Sequence, residues 1–435
     1  MASSWRRTIA YRATSSLILG SARLEGTLGE LWGRDLKLRM GVDVREQQFN
    51  THSTPVNPAP PVRADLRREV VGGFAQLSLP LPGKVVLNAA LREDHYSDIG
   101  GATAPQLGLA WSPIQSITLR STWTRAFRPP NLPDLSETGN QSGLVRLPDP
   151  SSPQGSTALV WTENNADLKP ERANNWTLGA GFSPQSIPGL SLGVTYFDTL
   201  VRGRVEQTSL EATVLSDPTL AATVNRNPTD ATRAAVCSRS SFRGTPQTCL
   251  TAPIGEIVDL RLRNAERVAT RGVDVDTEYV TTTDFGKVKA GLLATYLFSF
   301  DRQDTAAGPD VGLLNTPHEP LNLRFRASLS WSLRQLSSSL FLNYSNHYRN
   351  TLSRPEQDVA SWATVDLQIA VTTADEGPFR GVQIAFNAQN LFNRNPPFVN
   401  NPVGVGYDQE NADLLGRPSV CSCASAGEGS YLLTV

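Results

Sequence analysis

The chain has 435 residues, with 40 Lys and Arg set against 41 Asp and Glu, a formal net charge of -1. That balance excludes a dedicated nucleic-acid binder, which carries a basic excess. No apolar run approaches the roughly 18 residues that a spanning helix needs, so helical membrane proteins are excluded while closed β-barrels are not. Even the stretch Gly291 to Phe300 is interrupted by Thr295, Tyr296 and Ser299.

From the N-terminus, Arg6 and Arg7 imitate a charged start, but the apolar run Leu17-Ile18-Leu19 is too short for the roughly 7–15 residues of a signal-peptide core. An export signal is therefore not visible in this chain. Period-two alternation then dominates. From Asp35 to Arg45, Leu36, Leu38, Met40, Val42 and Val44 point one way, while Lys37, Arg39, Asp43 and Arg45 point the other. A strand sorts residues onto two faces in this manner; a helix does not. The pattern returns at Ile117 to Thr124, Val273 to Tyr279, Leu323 to Trp331 and Val365 to Thr372. About fourteen such segments reach the roughly ten residues that a tilted membrane strand requires.

Tight connections (Leu81 to Gly83, Ser112 to Ile114, Ser183 to Pro188, Asp284 to Gly286, Leu333 to Gln335, Asp375 to Pro378) alternate with long polar ones. The long ones are Asn50 to Asp65, Pro129 to Pro170, Arg204 to Glu266, Arg302 to Pro320, Asn350 to Ala360 and Asn395 to Gly416. A meander whose every second turn lies on one side produces this rhythm, as in outer-membrane barrels with short periplasmic turns and longer outer loops. Charged rows such as Asp274/Asp276/Glu278 and Arg324/Arg326 then face a wet lumen, because lipid would penalise basic groups by up to about 2–4 kcal/mol each. The fold class expected is all-β: an antiparallel transmembrane β-barrel, incomplete, of about 14–15 long meandering strands with no plug domain.

Site chemistry is sparse. The cysteines stand at 237, 249, 421 and 423, and the histidines at 52, 95, 318 and 347, with no zinc-ligand spacing. Cys237 and Cys249 share a polar loop-like stretch, so a local disulfide in an oxidising compartment is expected, with two free thiols as the alternative. His95, between Asp94 and Tyr96, reads as a rim residue and not a site. No nucleophile, base and orienter set supports hydrolysis, so no catalytic residue, metal or cofactor is assigned.

Four segments stand out. Trp123 to Leu132 (W-T-R-A-F-R-P-P-N-L) ends a strand at tandem prolines, which remove ladder donors. Asn164 to Gly179 (N-N-A-D-L-K-P-E-R-A-N-N-W-T-L-G) opens another, as does Arg271 to Asp276 (R-G-V-D-V-D). Asn387 to Pro397 (N-A-Q-N-L-F-N-R-N-P-P) closes one. In this order and spacing they resemble the signature segments of the TonB-dependent receptor β-barrel. The residues that carry the likeness are Arg125, Phe127, Arg128, Pro130, Leu168, Pro170, Glu171, Gly272, Asn390, Leu391 and Phe392. Asn165-Ala166 departs from the family's usual Asn-Pro. The earlier strands, from about Ser16, fit by pattern only.

The resemblance implies an outer-membrane importer of a scarce ligand (siderophore-, vitamin- or glycan-type). Ligand would be held in extracellular loops, for which 129–170 and 204–266 are the candidates. It implies a plugged barrel of about twenty-two strands, outer-membrane lipid and the barrel-assembly machinery as partners, and a TonB complex acting on an intact homologue through plug and coupling box. Neither plug nor box is visible here, so residues 1–417 are expected to be a C-terminal barrel portion, unable to couple or to form a stable closed pore alone. Pro418 to Ser430 is small and polar without a period of two, so residues 418–435 are expected to be an atypical tail, the product of a frameshift near Arg417. Two other readings remain: a complete small passive porin, and a soluble secreted glycan-binding β-protein.

Overall fold

The structure is a computed structural model. It describes residues 11–53, 63–136, 142–207, 210, 214–216, 218–239, 242, 244–304, 308–373, 381–400, 405–414 and 416, and the backbone of 419–424 and 430–434. No described helix is long and apolar enough to cross a membrane, which says nothing of β-barrels.

The first strands are β1 (Tyr11–Leu31), β2 (Arg34–Ser53), β3 (Arg63–Leu81), β4 (Val85–Tyr96), β5 (Gly100–Ile114) and β6 (Ile117–Arg128). A short helix α1 (Leu132–Leu135) follows, then β7 (Gly143–Asp149), β8 (Ser152–Trp161), β9 (Glu171–Phe182) and β10 (Leu190–Glu206). Next come β11 (Val224–Asn225), helices α2 (Asp230–Cys237) and α3 (Pro246–Thr251), β12 (Glu256–Asp259), β13 (Arg263–Thr283), β14 (Gly286–Gln303) and β15 (Asp310–Gly312). The last are β16 (Leu323–Leu333), β17 (Leu336–Ser345), β18 (Tyr348–Asn350), β19 (Gln357–Val359), β20 (Trp362–Thr372), β21 (Gln383–Ala388), β22 (Ser419–Ala424) and β23 (Ser430–Thr434).

Among the described residues one 17-stranded sheet forms the wall, and every ladder in it is antiparallel. It is a meander: β1 to β6, then β9, β10, β13, β14, β16, β17, β20, β21, β22 and β23, each paired with the next. Setting aside β15 and the two tail strands leaves the fourteen that alternation predicts. No ladder joins β1 to β23 among the described residues.

Alternation puts Val42, Val44, Val71, Leu91, Leu107, Leu178, Val194 and Leu340 on one exposed face of the wall. A face of large apolar groups left open over so many strands is made for lipid, and it removes the reading as a soluble β-protein. The other face is wet. There Arg92 Nη2 lies 2.8 Å from Asp43 Oδ1 and 2.7 Å from Asp94 Oδ1, and Arg45 Nε lies 2.9 Å from Asp43 Oδ2. Gly72 sits in register between Asp43 and Asp94. A Cβ there would fall 2.1 Å from Asp94 Oδ1, so the charge quartet needs glycine at this point. His95 takes the opposite, apolar-band face, in register with Val71, where it is exposed.

The rhythm of connections has one exception. Residues 97–99, joining β4 to β5 at the long-loop end, are as short as the turns at the other end. The tail differs from its sequence pattern as well: β22 and β23 extend the sheet beyond β21 despite lacking alternation. Backbone hydrogen bonding is indifferent to side-chain periodicity, and β21 offers a free edge for it. Arg417 and Pro418 lie outside the described residues.

Candidate ligand-binding loops

The two candidate loops are not separate. β7 and β8 come from the first, β11 and β12 from the second, and they form one four-stranded sheet in which β8 and β12 run parallel. Two apolar clusters flank it. Leu147, Val160, Val214, Leu220, Val258 and Leu260 fill one; Leu159, Val236, Phe242, Ile254 and Ile257 fill the other. The second holds the Cys237–Cys249 disulfide, fully buried, Cα to Cα 5.6 Å, joining α2 to α3. The expected disulfide is thus present, on two short helices, not in irregular loop. Thr229 and Thr245 cap these helices by accepting from Thr232 N and Thr248 N. We refer to the assembly as the lid.

A charged and aromatic stack ties the two loops of the lid together. The Arg261 guanidinium lies 3.6 Å from the Trp161 ring centroid, with Arg239 5.4 Å from the same ring. Arg239 Nε is 2.6 Å from Oε2 of the buried Glu163.

A second assembly unites three later connections. Leu321, Tyr348, Val359 and Val399 form a small core. Beside it the buried Asp408 accepts from His318 N at 3.0 Å, from Asn411 Nδ2 at 2.6 Å and from Glu410 N at 3.1 Å. His318 Nδ1 lies 3.4 Å away. Burial opposes ionisation of Asp408, but the hydrogen bonds from His318 and Asn411 outweigh it and hold the carboxyl down at about 2. Burial, helped by the Asp408 charge, pushes the Tyr348 phenol well above its ordinary range. Burial also raises Glu319, against the nearby Arg302 cation.

Below these loops, the lumen face of the wall holds a hollow of about 500 Å³. Asp274 and Asp276 line one side, Arg324, Arg326 and Asn343 the other, with Leu293 between. Arg324 Nη2 donates to Asn411 Oδ1 in the second assembly and, at 3.2 Å, to Glu410 O. No described group of three or more His, Cys, Asp or Glu is placed to hold a metal.

The motif residues lie near where loops leave the wall, except Gly272, which is in the middle of β13. Arg125 Nε donates to Asn174 Oδ1 at 3.2 Å. The Phe127 ring packs 5.7 Å from that of Tyr96. Arg128 Nη2 lies 3.1 Å from Glu171 Oε1, which also accepts from Val205 N. Pro130 O accepts from Arg68 Nη1 at 2.9 Å, and the buried Arg68 also reaches Asp98 Oδ2 at 2.7 Å. Leu168 is buried, and the flanking Lys169 is held on both backbone groups by Asn264; Pro170 follows with its carbonyl against Gly203. Gly272 of β13 faces a bulge of β14 at Phe298, and a Cβ on it would fall 2.7 Å from both Tyr296 O and the Phe197 ring. Asn390 adopts a positive φ of 46°, donates its backbone N–H to Asp366 Oδ1 and bonds Arg394 through both side-chain atoms. Leu391 N donates to Val365 O, while the Phe392 ring is exposed. Asn165-Ala166 keeps its turn without proline: Asn165 Oδ1 accepts from Asp167 N, and its Nδ2 reaches Leu262 O. Arg68, Asp98, Asn264 and Asp366 were not legible as partners, since each is remote in sequence from the motif it holds.

A family model described as TonB dependent receptor-like, beta-barrel matches residues 4–391. The chain belongs to the TonB-dependent receptor β-barrel family. The ferric enterobactin receptor of Pseudomonas aeruginosa is 26% identical over 189 residues, covering 40% of this chain and 24% of that protein. The ferrienterobactin receptor of Escherichia coli K12 is 27% identical over 143 residues, 32% and 18% respectively. In fold, the siderophore receptor PirA of Acinetobacter baumannii superposes with a TM-score of 0.59 at 15% identity, over 94% of this chain and 54% of that one. The chain therefore spans about half the length of these solved receptors. As a TonB-dependent receptor barrel its place is the Gram-negative outer membrane, so the apolar face meets lipid and the loop end faces outward.

Proposed function

We propose that the intact receptor to which this wall belongs imports a scarce small ligand of the siderophore class across the outer membrane. The observation that carries the reading is the pairing of a wet, charged lumen with two loop assemblies at its outer end. The names of the relatives supply the ligand class: they are ferric enterobactin and siderophore receptors. They are transport receptors and not enzymes, and we read the mechanism here as binding and gating without covalent chemistry. The lid and the Asp408 assembly would close over the ligand, which would then pass the lumen wall. Energy would come from a TonB complex acting on the intact homologue, and the barrel-assembly machinery would insert the wall into lipid. Within the chain, 1–417 would serve as the wall portion and 418–435 as an atypical tail.

The test is titration of the full chain in detergent micelles with ferric enterobactin, a ferric hydroxamate and cobalamin, read by tryptophan fluorescence. Saturable quenching by a ferric siderophore is expected. Response to cobalamin alone, or to none of the three, would overturn the ligand class. The tail is tested separately by resequencing the locus: an alternating closing strand in another frame after Arg417 is expected, and its absence removes the frameshift.

A further inference from the structure

At the outer mouth, the stem of the lid meets the second loop assembly at one guanidinium. Glu206 closes β10 and Arg263 opens β13, and the two stand opposite each other in register, beyond the exposed apolar Val194 and Tyr196. They are the two ends of the second lid loop. Arg302, next to last in β14, reaches both this stem and a later connection. Its Nη1 lies 3.6 Å from Glu206 Oε2 and 3.0 Å from Glu319 Oε1, while its Nε lies 3.1 Å from Asp304 Oδ1. Arg263 Nη2 holds the other Asp304 oxygen at 2.9 Å, and Arg204 Nε lies 3.3 Å from Glu206 Oε1. Glu319 belongs to the connection between β15 and β16. Its backbone oxygen accepts from Asn411 Nδ2 at 3.1 Å, and the adjoining His318 donates its backbone N–H to Asp408.

One cation thus serves three carboxylates. Glu206 and Glu319 draw on the same nitrogen, which puts their oxygens no more than about 7 Å apart. Arg302 and its three partners keep at most 28% of their side-chain exposure, so little water screens them. Carboxylates this close and this dry repel, and a proton on one of them relieves the repulsion. Burial is the main cause that raises both glutamates above the ordinary carboxylate range. For Glu206, Arg302, Arg204 and Arg263 oppose it and Asp304 adds to it; for Glu319, Arg302, Arg204 and His318 oppose it and the Glu206 charge adds to it. Each glutamate therefore holds its proton more tightly in the packed junction than in an open, solvated stem. Protonation favours the packed form, and that support is lost as pH rises through the raised range.

We propose that Arg302 is a positioning residue that clasps the stem of the lid to the Asp408 assembly, and that the clasp takes up a solvent proton on Glu206 or Glu319 as it closes. Arginine suits this role because its planar fork presents several donors at once and stays charged at any physiological pH. The two loop assemblies draw together in mild acid and loosen toward alkaline pH. The sign is opposite to that of the Asp408 carboxyl, which loses its hold only in strong acid. The proposal concerns the junction of the loops and not the identity of the imported ligand.

The experiment follows backbone hydrogen exchange of the full chain in detergent micelles between about pH 5 and pH 8.5, corrected for the intrinsic pH dependence of exchange. It reads peptides covering Arg204 to Glu206, Arg263 to Glu266 and Leu313 to Asn322. Their protection should be at least threefold greater at the acid end. E206Q/E319Q, neutral throughout, should hold the acid-end protection over the whole range, and E319Q alone should reduce the step by half or more. R302Q should lose at least threefold protection in the stem and connection peptides together. E278Q, in the wall beside Lys289, should keep the full step. A flat profile in the unaltered chain, or a full step in E206Q/E319Q or E319Q, would overturn the proton linkage. Unchanged exchange in R302Q would overturn the clasp, and an equal loss of the step in E278Q would overturn its location. No ligand is added, so this proposal and the siderophore reading fail independently.

Discussion

Leu178 in β9 and Leu159 in β8 are leucines in adjacent wall and lid strands, yet they live in opposite worlds. Leu178 is 62% exposed and Leu159 is 0% exposed. The wall's apolar interior is small, a cluster of Val70, Tyr96 and Ala102 near the loop end; many of its large apolar side chains are exposed, and its inner face carries ion pairs. The lid keeps its apolar groups between a sheet and two helices, as a water-soluble domain does. The difference teaches that one chain here meets two solvents. Burial against protein stabilises the lid, whereas the wall depends on lipid to cover what it exposes.

The sharpest break of this comparison is Leu159→Ala. Loss of a fully buried leucine should cost the lid about 2–5 kcal/mol. Hydrogen exchange should accelerate across β8 and β12 while the ladders of β13 and β14 keep their protection; acceleration in both regions would show that lid and wall fold as one unit. Next is Leu178→Arg, which should penalise assembly into bilayers by about 2–4 kcal/mol and leave the Cys237–Cys249 bond forming as before, measured by band-shift folding assays and thiol labelling. Replacing both Cys237 and Cys249 with Ser removes a cross-link between residues 12 apart. It should loosen the lid by about 3 kcal/mol, read as faster proteolysis near α2 and α3.

A smaller effect concerns pH and the second loop assembly. Asp408 is held at about 2 when folded, below an ordinary carboxyl near 3.9. Its contribution, on the order of 2 kcal/mol, is therefore complete above about pH 4 and is lost as pH falls through about 2. Exchange of peptides containing His318 and Asp408 should quicken over that window, and Asp408→Asn should abolish the pH dependence. The lid, anchored by apolar packing, should not respond in the same way. Smallest of all, Leu178→Ala should change stability by less than about 1 kcal/mol, in contrast to the same substitution at Leu159.

The wall was readable in the sequence because its instruction is local. Alternation such as Leu36, Leu38, Met40, Val42 and Val44 sorts faces without knowledge of any neighbour, and that pattern gives about the number of wall strands found. The four signature segments were readable for the same reason, being short runs with fixed turn chemistry at Pro130, Pro170 and Asn390. Their partners were not. Arg68 reaching Pro130, Asn264 clasping Lys169 and Asp366 receiving Asn390 each join residues between 24 and about one hundred positions apart.

Sequence by itself thus determined the period of the strands, the sides on which long connections lie and the membership of the wall in its family. Only the tertiary structure decided that residues 129–170 and 204–266 share one lid, that Asp408 gathers three connections, and that Glu206 and Glu319 meet at Arg302. The physical reason is register. Which residues of distant strands come to lie side by side follows from ladder pairing across the whole sheet, and no local pattern of polar and apolar residues encodes it.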